Sequence, residues 1–175
     1  MNSSTEPKPE PSACAYTAQL DILRGLPLFA GVPLEVSKVL AYLSVTETFA
    51  SGDLLVREGE HSEFFRFVTC GRVRVTRLAG EREVLVKDMG PGDSFGGLSL
   101  IVDAKSLFTV RSLEETTTLS LQREKFLKTV QRFPQIQPAV LEALAGHVLS
   151  WEERFLARHP EEFASLGQDF GLTLF

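Results

Sequence analysis

The run GDSFGGLSLIVDAKSLFTVRS, Gly92 to Ser112, holds the residue types most suited to gripping a small anion. Glycines let the backbone approach a ligand closely. A helix opening near Gly96 or Gly97 would also turn free N–H groups outward, a modest phosphate site in its own right. Arg111 lies five residues beyond Ser106 in the same extended stretch, so strand parity points it to the opposite face. The loop has the backbone chemistry of a phosphate cradle without a matching guanidinium.

Other chemistries find little support. The three histidines, His61, His147 and His159, form no HxH pair on a strand, so neither a shared metal site nor a haem ligand set is indicated. No GxSxG elbow or GxxxxGK[ST] loop is present, and Cys14 and Cys70 have no neighbouring histidine to lower their thiol pKa. Cys70 lies in an apolar run and reads as an inert core thiol. The chain is expected not to be an enzyme and to need no cofactor.

These residues must be positioned by the elements around them. The opening MNSSTEPKPEPSA lacks any aliphatic run, so residues 1–16 are expected to form a disordered tail. Leu20, Leu23 and Leu26 then repeat with helical spacing up to Pro27. A second helix follows Pro33, with Val36, Val39, Leu40 and Leu43 on one face. After Ser44, turn signals such as Ser51-Gly52-Asp53 and Gly90-Pro91-Gly92-Asp93 separate LLVRE, FFRFVTC, RVRVTRL, REVLVKDM, LFTVRSL and TTTLSL. Val73 and Val75 alternate with Arg72 and Arg74, as a half-buried antiparallel strand requires. Arg66, Arg72, Arg74 and Arg77 read as a solvated outer face.

From Arg123 the pattern turns helical again. Leu141, Leu144, Val148, Trp151 and Phe155 recur at alternating spacings of three and four, the pattern of a seam between paired helices. The predicted organisation is therefore a tail (1–16), helices with a β-barrel (17–122), C-terminal helices (123–159) and an apolar tail (160–175) that docks elsewhere. The fold class is mainly β: an antiparallel jelly-roll barrel with two N-terminal helices and C-terminal helices that include a long dimerisation helix.

LFAGVPLEVSKVLAYLSVTETFASGDLLVREGE, then VTCGRVRVTRL, then GPGDSFGGLSLI resembles the cyclic-nucleotide-binding domain of the catabolite-activator type of bacterial regulator, over about Asp21 to Arg158. The resemblance implies that Phe95, Gly96, Gly97, Leu98, Ser99, Ser106, Leu107 and Phe108 belong to a phosphate-binding cassette. In that family a glutamate takes the ribose 2′-hydroxyl and an arginine pairs the cyclic phosphate. Here those places fall on Gly97 and Ser106. Losing two charge-assisted hydrogen bonds of about 1.5–3 kcal/mol each would turn a micromolar site into a millimolar one or weaker.

The expected function is a stand-alone regulatory domain with altered or lost nucleotide binding, sensing a different small ligand through a homodimer. Two alternatives stay open: a genuine but weak cAMP or cGMP module, and a ligand-free dimeric scaffold that recruits a protein partner. Neither nucleic acid nor membrane is an expected partner. Net charge is −5, and from Pro134 onward two arginines face six carboxylates, the wrong sign for phosphate contacts. No apolar window is long enough to span a bilayer and no signal peptide is visible, so the expected location is the cytoplasm.

Overall fold

The computed structural model describes residues 13–158. Helix α1 (Ala13–Gly25) takes in the last four residues of the stretch read as a tail, and residues 1–12 lie outside the described part. A one-turn helix at Pro27–Phe29 and helix α2 (Leu34–Leu43) follow. Pro33 sits immediately before the first turn of α2, where its missing N–H costs nothing.

Eight strands come next: β1 (Val45–Phe49), β2 (Leu54–Val56), β3 (Phe64–Cys70), β4 (Val73–Ala79), β5 (Arg82–Met89), β6 (Ser94–Phe95), β7 (Thr109–Ser112) and β8 (Thr116–Gln122). They make two four-stranded sheets, ordered β1-β8-β3-β6 and β2-β7-β4-β5, with every pairing antiparallel. The result is a jelly roll of two facing sheets rather than a closed barrel. The chain ends its described part with α3 (Arg123–Arg132), a turn at Pro134–Ile136, and α4 (Gln137–Arg158). Among the described residues no helix is long and apolar enough to cross a membrane.

Two cores hold these layers. Between the sheets lie Leu55, Val68, Val73, Val75, Met89 and Val110. On the other side of the first sheet, Phe65, Leu119 and Leu121 meet Leu23, Val36, Leu40, Phe126, Ile136 and Val140 from the helices. Phe29 is the pivot of this second core, edge-on to Phe65 at 5.8 Å and to Phe126 at 6.4 Å between ring centres. Strand β8 serves both cores by alternation: Leu119 and Leu121 face the helices, while the buried hydroxyls of Thr118 and Ser120 face the other sheet and bond one another.

Two side chains depart from the sequence reading. Arg66 is not on the solvated face: two residues before Val68, it shares the inward face of β3, and its side chain is only 8% exposed. Its guanidinium lies 4.7 Å from the Phe64 ring centre and 3.5 Å from a Glu47 carboxylate oxygen. Desolvation lowers its pKa from the usual value, and Glu47 opposes that shift. Cys70, read as a core thiol, is exposed because it is the last residue of its strand, after a register shift that follows Val68.

Candidate functional site

The site begins at the turn Gly90–Asp93. Asp93 ties the turn together: its carboxylate accepts from the Gly90 N–H at 3.0 Å and from Lys87 Nζ at 2.8 Å. These bonds, Lys87 first, hold its carboxyl below the usual range. Strand β6 then pairs with β3, Ser94 opposite Phe67 and Phe95 opposite Arg66.

At Gly96 the backbone has φ +79°, and a Cβ there would collide with the Phe64 carbonyl oxygen. Only glycine fits. Gly97 returns to ordinary helical dihedrals and opens a single turn, Leu98–Leu100, whose Leu100 is fully buried and pins the cassette to the core. The outward N–H groups expected at this turn are reduced: Ser99 N–H donates to Gly96 O and Leu100 N–H to Gly97 O. A three-residue turn supplies no useful helix terminus for an anion.

Beyond the turn, Val102–Lys105 is clasped from two sides. Asp103 accepts from Arg123 at 2.9 Å, and His61 Nδ1 lies 2.7 Å from the same carboxylate oxygen. Arg123 also reaches the Val102 carbonyl at 3.2 Å, and its own N–H donates to Glu63 O at 2.7 Å. Ser106 is held by backbone bonds to Gly59 and Glu60, both at 2.8 Å. Its hydroxyl donates to Phe108 O at 2.8 Å. Arg111 faces away from the cassette and donates to Gly52 O at 2.7 Å.

The cassette separates two chambers. The smaller, about 270 Å³, opens into the space between the sheets. Val56, Val75, Val86, Met89 and Val110 form its apolar wall with Phe95 and Phe108, and Ser62, Ser94, Ser99 and Ser106 also line it. Lys87, its one lining cation among the described residues, is the one bound to Asp93. The larger chamber, about 620 Å³, lies on the helix side, between the cassette, the Leu26–Leu28 stretch and Ala143, Leu144 and His147 of α4.

All eight cassette residues singled out in the sequence line the larger chamber: Phe95, Gly96, Gly97, Leu98, Ser99, Ser106, Leu107 and Phe108. Phe95, Gly96, Ser99, Ser106 and Phe108 line the smaller one as well. Sequence reasoning missed the valine wall and the α4 contributors. Alternation marked Val75 as inward-facing, but nothing local said that β2, β5 and β7 would meet the cassette.

The five residues read as one helix seam divide between two faces of α4. Leu144 packs on the helix-side core, whereas Leu141 is 69% exposed and Val148 is also exposed. Phe155 is half-buried, and the Trp151 side chain lies outside the described residues. His159 and the apolar tail 160–175 lie outside them too.

With this geometry in place, known proteins can be set beside it. The family model described as the cyclic nucleotide-binding domain matches residues 46–133, half of the chain. The chain is 31% identical over 117 residues to the cyclic AMP receptor protein of Thermus thermophilus, covering 65% of this chain and 53% of that protein. It is 28% identical over 149 residues to human cGMP-dependent protein kinase 2, covering 83% of this chain and 19% of the kinase. It thus spans about half of the first relative and about a fifth of the second. Among solved structures, the N-terminal domain of a transcriptional regulator from Streptomyces coelicolor A3(2) superposes with a TM-score of 0.68 at 30% identity, over 77% of this chain and 94% of that one. The likeness covers the Gly-turn, the cassette and both sheets, so the chain belongs to the cyclic nucleotide-binding domain family.

Proposed function

We propose that this member of the family is a regulatory domain, not an enzyme, that has replaced its charged nucleotide grip with a neutral one and senses a small, less charged ligand through a homodimer. One observation carries the reading. The chamber between the sheets is lined by aliphatic and phenyl side chains and four serines, and its single cation among the described residues is already neutralised by Asp93 at 2.8 Å. A cyclic phosphodiester entering it would leave water without gaining a counter-charge, an unfavourable exchange. A neutral molecule with hydroxyl or carbonyl groups at one end would satisfy the serines and bury its apolar part against the valines. At about 270 Å³ the chamber suits a compact molecule.

The route from ligand to response runs through the clasp. The ligand would displace Ser99 and Ser106, and Arg123 joins the end of the cassette to the first turn of α3. In this reading the body over 17–122 holds the ligand, and the helices from 123 transmit its presence to the dimer.

Isothermal titration with cAMP and cGMP tests the loss of nucleotide binding: no heat at tens of micromolar is expected, and a micromolar affinity for either overturns the reading. Thermal shift against neutral metabolites tests the sensor, because a ligand of the folded state raises Tm by mass action. Stabilisation by none of them would favour the scaffold that recruits a protein partner.

A further inference from the structure

We infer that the larger chamber, between the cassette and α4, is a second binding site, for an amphiphilic monoanion: an apolar body ending in a single carboxylate. The inference is independent of what fills the space between the sheets.

The chamber is large enough for a lipid-like or drug-sized molecule, at about 620 Å³. Leu26, Leu28, Phe65, Val102 and Leu144 give it an apolar wall, and among the described residues no carboxylate lines it. Its two ionisable lining groups, Lys105 and His147, come from different elements, the cassette and α4. Neither side chain has a hydrogen-bond or ion-pair partner among the described residues. The acid nearest to Lys105 in sequence, Asp103, is already engaged by His61 and Arg123.

An uncompensated lysine at a largely apolar chamber favours a negative charge, while the wall favours hydrocarbon. The two faces of α4 also separate this chamber from the helix's outer strip. Ala143, Leu144 and His147 look inward, and Leu141 and Val148 look out.

The full chain should be titrated calorimetrically with decanoate, decanol and decyltrimethylammonium, each below its micellar concentration. Decanoate should bind best and the ammonium worst. Octanoate should bind about tenfold more weakly than decanoate, reflecting two fewer buried methylenes. Lys105→Gln should weaken decanoate about tenfold and leave decanol unchanged. Ala143→Phe, which fills the chamber from α4, should abolish decanoate binding, whereas Leu141→Gln on the outer strip should not. Lys105 is an exposed side chain, so its variant remains decisive if Ala143→Phe does not fold. The inference is overturned by absence of decanoate binding, by equal binding of the ammonium, or by binding lost in Leu141→Gln and kept in Lys105→Gln. Lys105 and Ala143 line this chamber alone, so failure here leaves the ligand between the sheets untested, and the reverse also holds.

Discussion

Gly97 and Ser106 can be tested by putting the charges back. Gly97 has ordinary helical dihedrals, and a Cβ there would meet only Leu28 Cδ2 at 3.6 Å, so the backbone tolerates a side chain. Gly97→Glu with Ser106→Arg should therefore raise cAMP affinity by about two to four decades, the return of two charge-assisted bonds. Titration calorimetry reads this directly, and an unchanged double variant would mean that the cassette backbone, not its side chains, excludes the nucleotide. Gly96 is the opposite case. Gly96→Ala forces a left-handed φ on alanine and drives its Cβ toward the Phe64 carbonyl, so urea unfolding should report a loss of about 2 kcal/mol or more. The buried Arg66 gives a third test. Removing Glu47 strands a desolvated cation whose Nε already has no partner, whereas Arg66→Met removes the demand itself. Glu47→Ala should cost about 1–3 kcal/mol in urea unfolding, and Arg66→Met less.

At the scale of elements, the clasp between the cassette and α3 should loosen in acid. His61 first, and then Arg123, hold the Asp103 carboxyl below the usual range. A depressed folded value means that the clasp contributes fully above the unfolded aspartate value of about 3.9, and that the contribution is lost as pH falls below it through the folded value. Protection of the Val102–Lys105 amides, measured as exchange relative to the unfolded chain at the same pH, should therefore fall on acidification below about pH 4, and Asp103→Asn should show the lower protection at neutral pH already. Much of this arrangement is legible in the sequence, because alternation and glycine turns are local signals: all six strands named from them are present. The start of α1 was not, since ACAY carries no helical repeat of its own and Tyr16 is ordered by packing on the helix-side core and by its hydroxyl bond to Lys38 O on α2. Arg66 was misread because it was grouped with the alternating arginines of the next strand, β4, whereas on β3 it shares the parity of Val68, which faces the other sheet. The chambers were illegible because they depend on long-range pairings, β2 with β7 and β4 with β7, whose partners lie far apart in sequence. Spacings of three and four on α4 admitted two faces at once: at about 100° per residue, Leu141 and Val148 nearly coincide while Leu144 is turned about 40–60° away from them.

At the scale of the whole molecule, the outer side of α4 is an apolar surface that no other described element covers. α4 is 22 residues long, about 33 Å, and its first half packs through Val140 and Leu144 on the body. Its outer side exposes Leu141, Val148, Leu149 and Leu156. Single exposed leucines are ordinary, but a strip of four along one helix is the pattern that a second, like helix covers. Pairing about a two-fold axis buries both copies of each side chain, at about 1.5–3 kcal/mol for each one fully covered, enough to offset the entropy of association. Sedimentation should therefore show a dimer at micromolar concentration, and Leu141→Glu with Val148→Glu should shift it to monomer without altering the far-UV spectrum. If the unaltered chain sediments as a monomer at tens of micromolar, the strip belongs to a different partner, and the proposed relay from chamber to dimer fails with it. A dimer whose dissociation constant changes when either chamber is filled would place the ligand and the interface in one equilibrium, because a ligand can shift assembly only by its difference in affinity for the two states.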